Sequence, residues 1–357
     1  MIAGSSIYDL STPVPVIDED IVAGNIARVQ AYMDKIGVSF RPHIKTHKIP
    51  DLAAAQVAAG AKGINAQKIS EAEIFADAGF EDILITYNIV GTEKLAALKA
   101  LHERIAHLTV VADSAFVVQG LASTFSSEHP LTVMVECDTG GKRCGVQTSE
   151  QALVLAREIV AAPGLRFGGL LTYPKAFGEE DGEVFLSTTI ALLKENGIDC
   201  PVVSYGGSPS LFSAEKVPSA TEYRAGTYIY NDRSLIRAGH CTQDQCAMTV
   251  LTTVVSRPTR DRAVIDAGSK ALTSDLLGFE DHGLIVGYPE ARIVSLSEEH
   301  AVVDLSACGD DRPQIGDKLR VIPNHTCVVS NLFDKVVFHQ GGVVTRAVDI
   351  AARGRVW

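Results

Sequence analysis

The sequence predicts an α/β protein: a (β/α)8, TIM-like barrel followed by an antiparallel β domain. Two textures carry this. Over the first two-thirds, short β-branched runs alternate with longer helix-period stretches across short loops, the pattern of βαβ units and a parallel sheet. From about residue 240, strand-like runs follow one another with no convincing helix between them. Length is the third observation: 357 residues hold a barrel of roughly 250 residues or a little fewer and a second domain beside it.

The barrel strands are read in order as VSFRPHI (38–44), GINA (63–66), DILIT (82–86), LTVVAD (108–113), LTVMVEC (131–137), FGGLLTY (167–173), PVVSYG (201–206) and TEYRAG (221–226). Helical patterns such as NIARVQAYMDKI, VGTEKLAALKALHERI and SEQALVLAREIVAA lie between them. The β domain is read from AMTVLTTVVS, RAVIDAG, ARIVSLS, HAVVDL, DKLRVIP and KVVFHQGGVVTRAV. The expected boundaries are 18–238 for the barrel and 239–357 for the β domain, with the opening strand 12–17 pairing into the latter.

Composition narrows the function classes. Apolar residues make up 46% and charged residues 21%, an ordinary globular balance. The net charge of −11 argues against a nucleic-acid partner, which asks for a basic face. No run of 18 apolar residues occurs, so no membrane span is expected. The opening MIAGSSIYDLSTPVP lacks the charged flank and apolar stretch of a signal peptide. Seven cysteines, an odd number scattered along the chain, fit reduced thiols in the cytoplasm better than a disulfide framework.

Chemistry concentrates in a few stretches. RPHIKTHK (41–48) packs two histidines and two lysines into eight positions. Barrel enzymes place their chemistry at the carboxyl ends of the strands, and period-two spacing would put Arg41, His43 and Lys45 on one face. A lysine leaving a strand into that mouth can be desolvated, which frees its amine for Schiff-base chemistry; a solvated basic loop is the plain alternative. SYGGSPS (204–210) and YRAGTY (223–228) follow late strands, where backbone N–H groups cradle phosphates, although either could simply form a turn. Together with a rim lysine they point to pyridoxal phosphate. In PNHTC (323–327), His325 and Cys327 are two apart and share a direction on an extended chain; imidazole plus thiolate suits zinc, against the plain reading of a buried histidine and an inert cysteine. HCTQDQC (240–246) is read as a loop.

PHIKTHK, QKISEAE (67–73), CDTGGKRCGV (137–146), the Tyr-Gly-Gly-Ser segment, DAGSK (266–270), EEHAVV (298–303) and PNHTC occur in an order that resembles the D-threonine aldolase and D-serine dehydratase group of alanine-racemase-type pyridoxal phosphate enzymes. The resemblance covers nearly the whole chain. It implies a barrel carrying pyridoxal 5'-phosphate, a C-terminal β domain with a divalent metal (zinc ahead of manganese), a small-molecule D-amino acid substrate and a homodimer. By that resemblance Lys45 forms the Schiff base and serves as a base for the Cα proton. Arg143 lies near the cofactor's phenolic oxygen and Tyr173 near the cofactor. Gly207, Ser208, Gly226 and Thr227 bind its phosphate, and His325 and Cys327 hold the metal.

Two positions depart from the aldolase pattern. A histidine usually follows the tyrosine matched by Tyr173, but here the chain reads Tyr173-Pro174-Lys175. Arg224 stands where aldolase-type relatives tend to have glutamine and where alanine racemases set an arginine against the pyridine nitrogen, keeping it unprotonated. With the His-x-Cys pair, these favour dehydration of D-serine or 3-hydroxyaspartate over retro-aldol cleavage to glycine and an aldehyde. A racemase or a non-catalytic pyridoxal phosphate-binding protein ranks behind both.

Overall fold

The computed structural model describes residues 3–357. The chain divides into two compact units. One gathers the residues up to Ala27, Thr46–Ile49 and Thr227–Gly354; the other gathers Arg28–Lys45, Pro50–Gly226 and Arg355–Trp357. The first strand, β1 (Val14–Asp18), belongs to the former, the β unit.

The second unit is the barrel. Its strands are β2 (Ser39–Phe40), β3 (Ile64–Ala66), β4 (Asp82–Asn88), β5 (His107–Ala112), β6 (Leu131–Cys137), β7 (Leu165–Thr172), β8 (Val202–Tyr205) and β9 (Glu222–Tyr223). All pair in parallel, in the order β2-β9-β8-β7-β6-β5-β4-β3. The ring closes between its two ends, where Lys62 N donates to Phe40 O (2.7 Å) and Asn65 N to Pro42 O (2.8 Å). The strands read as continuous apolar runs because helices cover them, as in other all-parallel sheets. Helix Ser149–Ala161 shows the matching helical logic: Thr148 caps it by accepting from Gln151 N, and Ala152, Leu155, Ala156 and Ile159 bury one stripe.

The β unit is a nine-stranded sheet. It continues with β10 (Met248–Thr259), β11 (Arg262–Ile265), β12 (Gly283–Ile285), β13 (Arg292–Leu296), β14 (Ala301–Asp304), β15 (Lys318–Pro323), β16 (Lys335–Gln340) and β17 (Val343–Asp349). β1 lies inside it, antiparallel to β10 and parallel to β16. Val16, Leu251, Val337 and Val344 pack with Ile7 and Leu10 in one core cluster. Among the described residues no helix is long and apolar enough to cross a membrane.

Two expectations are corrected. The strand expected over 38–44 is regular only at Ser39–Phe40; its pairing runs on irregularly, with Arg41 N donating to Tyr223 O, His43 N to Ala225 O (2.9 Å each) and His43 bridging to Asn65, and the chain then turns into a 3-10 helix at Ile44–Thr46. Alternation therefore does not place Lys45. The region after 240 is also not free of helix: Thr326–Leu332 is helical. HCTQDQC is a loop with a 3-10 turn at Gln243–Gln245. Its Cys241 and Cys246 are buried with Leu235 and Ile322, and a thiol–thiol hydrogen bond and burial push the Cys246 thiol far up.

Candidate active site and metal pair

In the barrel unit, every expected cofactor residue sits just beyond the carboxyl end of a strand. Lys45 follows β2, Arg143 follows β6, Tyr173 follows β7, Gly207 and Ser208 follow β8, and Arg224 and Gly226 follow β9. Lys45 is half-buried in its 3-10 turn. Its N–H donates to His43 Nδ1 at 3.4 Å, and His43 Nε2 is 3.0 Å from Gln67 Oε1. His43 therefore braces the turn.

The loop from Asp138 to Gln147 folds back on the end of β6, where Asp138 N donates to Val146 O and Val146 N to Glu136 O. This carries Arg143 over the ring of Tyr173, with Cζ 4.4 Å from the centroid, a cation–π contact. The ring's other neighbour is Gly207, where a Cβ would stand 3.2 Å from Tyr173 Cε2. Tyr223 Oη donates to Gly207 O at 2.9 Å and pins that loop from below. Tyr173, Gly207 and Ser210 line a cavity of about 310 Å³ together with Gly140, Gly141 and Lys175. Lys175 Nζ donates to Asp181 Oδ2 at 3.1 Å.

Beneath the rim runs a buried polar chain. Arg224 Nη2 donates to Thr172 O (2.5 Å) and Nε to Ser204 Oγ (2.8 Å); Ser204 Oγ donates to Glu222 Oε1 (2.6 Å). Arg41 Nε donates to Glu222 Oε2 (2.8 Å), and its Nη1 to Asp82 Oδ1 (2.7 Å). Burial lowers the Arg224 pKa to about 10, with Glu222 and Glu136 opposing it, so the guanidinium stays charged at neutral pH. Burial also disfavours the Arg41 charge, but Glu222 and Asp82 outweigh it and raise the pKa. Arg41 thus ties strands together and does not face the rim chemistry.

Sequence reading missed Glu136. It ends β6, is buried, accepts from Asn88 Nδ2 at 3.4 Å, and feels both Arg143 and Arg224; burial pushes its carboxyl up. Its one signal was a carboxylate closing the apolar run LTVMVEC. Its ligand atoms lie within 4.8 Å of those of Asp113 and Cys144, but the neighbouring Arg143 already supplies a cation there.

In the β unit, His325 and Cys327 do meet, although not along an extended chain. His325 is the N-cap of helix Thr326–Leu332 and Cys327 lies in its first turn. His325 Nδ1 contacts the fully buried Asp232 Oδ2 at 3.1 Å, which leaves Nε2 as the outward donor. Cys327 beside it, assisted by Asp232 and opposed by burial, pushes the His325 pKa up to about 11. Cys327 Sγ is also 3.2 Å from Thr46 Oγ1 and 3.9 Å from Thr227 Oγ1. Thr227 thus contacts the thiol, alongside the phosphate role its motif implies. Asp232 braces the imidazole, and among the described residues no third histidine, cysteine or carboxylate brings a ligand atom within 4.8 Å of those of both His325 and Cys327.

The residues fit the implied groups. Gly207 leaves room against Tyr173 that a Cβ would fill, and Arg224 keeps Nη1 beyond the bonds it already makes. An imidazole held by a carboxylate on Nδ1, beside a thiol, is a soft donor pair of the kind that binds zinc.

Comparison with known proteins agrees. Residues 17–234 match the family "Alanine racemase, N-terminal domain" and residues 247–339 match "Putative serine dehydratase domain". The chain is 34% identical to a D-threonine aldolase of an Arthrobacter species, covering 98% of this chain and 95% of that one. The chain belongs to the D-threonine aldolase and D-serine dehydratase family of pyridoxal phosphate-dependent lyases. It is also 33% identical to D-threo-3-hydroxyaspartate dehydratase of Delftia sp. strain HT23, over 92% of this chain and 94% of that one. The D-threonine aldolase of Filomicrobium marinum superposes with a TM-score of 0.91 at 29% identity, covering 100% of both chains. A cysteine-to-alanine variant of D-threo-3-hydroxyaspartate dehydratase, solved in its metal-free form, superposes at 0.88 with 30% identity, over 99% and 100% of the chains.

Proposed function

We propose that this family member is a divalent-metal-dependent lyase that dehydrates a D-β-hydroxy-α-amino acid such as D-serine or 3-hydroxy-D-aspartate. The observation that carries the proposal is the His325–Cys327 pair, with Asp232 fixing the imidazole by its Nδ1. Bound pyridoxal phosphate would supply an electron sink for the Cα electrons, and a zinc ion on the pair would supply Lewis acidity at the β-hydroxyl.

The chain's own residues do the rest. Lys45, at the end of β2, holds the cofactor and takes the Cα proton. Gly207, Ser208 and Gly226 offer backbone at the rim, with Thr227 next in sequence, for the phosphate. Tyr173 lines the cavity with Arg143 stacked on its ring, and Arg224 keeps a positive charge beneath the rim. The histidine that usually follows this tyrosine in aldolases is missing, Pro174 and Lys175 come next instead, and Lys175 Nζ donates to Asp181. That arrangement supports elimination over abstraction of a hydroxyl proton.

Retro-aldol cleavage is the second reading, favoured by the likeness to the two D-threonine aldolases. The deciding experiment is product analysis with D-serine and D-threonine, each with zinc and with a chelator. A 2-oxo acid and ammonia, lost on chelation, establish the dehydratase; glycine and acetaldehyde from D-threonine establish the aldolase. Lys45→Ala is expected to abolish the cofactor's bound absorbance band, while Cys327→Ala keeps the band and loses turnover. The absence of disulfides among the described residues supports a cytoplasmic location, and the family resemblance supports a homodimer.

A further inference from the structure

The segment Thr227–Asp232 wraps the metal pair. Thr227 Oγ1 reaches Cys327 Sγ at 3.9 Å, and Asp232 Oδ2 reaches His325 Nδ1 at 3.1 Å. Tyr230 lies between them in sequence. Its backbone is fixed at both ends, its N–H donating to Thr227 O (3.2 Å) and its O accepting from Ala247 N (2.7 Å). The side chain is fully buried, yet its hydroxyl has no hydrogen-bond partner. Burial holds the phenol well above the ordinary tyrosine range, and Cys327 adds to the rise.

A buried hydroxyl without a partner is destabilising, and phenylalanine would fill the same space without that cost. The hydroxyl therefore points to a partner that comes with the ligand. Of the neutral side chains here, a phenol makes a strong donor to oxygen and cannot itself complete a soft His–Cys set.

Resting on the metal reading above, we propose that Tyr230 Oη is the third polar group of the His325–Cys327 cation site. It donates a hydrogen bond to the oxygen ligand that accompanies the cation: solvent when no substrate is present, and the substrate's β-hydroxyl when one is bound. Tyr230 is thus a binding and specificity residue for hydroxylated substrates.

The test uses cofactor-loaded protein and zinc, with competition against a chromogenic chelator. Tyr230→Phe is expected to raise the zinc dissociation constant about tenfold, the size of one hydrogen bond to a charged centre. Tyr205→Phe, which removes the other fully buried tyrosine hydroxyl without a partner, is expected to leave it unchanged. In steady state, Tyr230→Phe should raise KM for D-serine several-fold while leaving unchanged the inhibition constant of D-alanine, which has no β-hydroxyl. Tyr230→Leu repeats the measurement should the phenylalanine variant not fold. Wild-type zinc affinity in both Tyr230 variants, with an unchanged KM, overturns the proposal alone. A wild-type protein that takes up no zinc overturns the metal reading with it.

Discussion

Asp232 and His325, 93 positions apart, share one contact: Asp232 Oδ2 lies 3.1 Å from His325 Nδ1 and also accepts from Thr326 N at 3.2 Å. The same carboxylate's Oδ1 accepts from Ser234 Oγ (2.6 Å) and Leu235 N (3.2 Å), capping the helix Arg233–Arg237. One side chain therefore starts one helix, braces the start of another and sets the imidazole's tautomer.

Asp232→Asn retains the shape and removes the charge. Loss of such an outer carboxylate typically costs 10–100-fold in metal affinity. The expected result is a zinc dissociation constant raised within that range, read by chelator competition, with the cofactor's absorbance band unchanged.

The Arg41–Glu222–Asp82 link predicts a fold defect. Glu222 and Arg41 are both almost fully buried, and removing one partner of a buried pair costs about 3–5 kcal/mol because the other charge is left uncompensated. Arg41→Met should therefore lower the urea midpoint of the barrel sharply. Arg41→Lys should recover only part of the loss, since an ammonium cannot span Glu222 and Asp82 as the guanidinium fork does.

Gly145 sits at φ +121°, and a Cβ there would stand 2.4 Å from Asp138 N. Its own N–H donates to Asp113 Oδ2 at 3.2 Å. Gly145→Ala should push the loop off the end of β6 and take Arg143 with it. At about 1–3 kcal/mol of strain, apoprotein titrated with pyridoxal phosphate should show roughly tenfold weaker binding, with Tm changed little.

His102 predicts a pH dependence. Its ring stacks on His129 with centroids 4.0 Å apart, Nε2 donates to His129 O, and buried Nδ1 has no partner. Burial lowers its pKa, with the hydrogen bond to the His129 carbonyl opposing. A histidine with a depressed folded pKa contributes stability above its unfolded value of about 6.5 and loses it as pH falls through that value toward the folded one. Melting temperature should drop between pH 8 and pH 5.5. His102→Phe, packed on Phe125 in the same way, should show a smaller drop.

Much of the barrel was legible because all-parallel strands announce themselves. DILIT, LTVVAD and LTVMVEC are unbroken apolar runs bounded by turn residues, and each of the eight quoted runs overlaps a barrel strand. RPHIK misled at its end because alternation presumes a strand, and the chain leaves the extended form at the 3-10 turn Ile44–Thr46 before Lys45 is reached. Helix Thr326–Leu332 was hidden because TCVVSNL is short and rich in β-branched residues, so local propensity favoured strand. Asp232 and Tyr230 carried no local signal at all: their meaning lies in which residues the tertiary fold sets beside them. Glu136 left only a faint mark, a charge at the end of an apolar run.

The position of β1 has a consequence for synthesis on the ribosome. β1 is made well before its two neighbours, β10 and β16, and β16 begins at Lys335. At 5–20 residues per second, β1 waits roughly 15 to 60 s before both edges can be paired. During that interval a nascent chain displays an apolar strand with open hydrogen-bonding edges, an obvious substrate for early-acting chaperones. Slowed translation late in the message should therefore increase aggregation of this chain more than the same delay placed early.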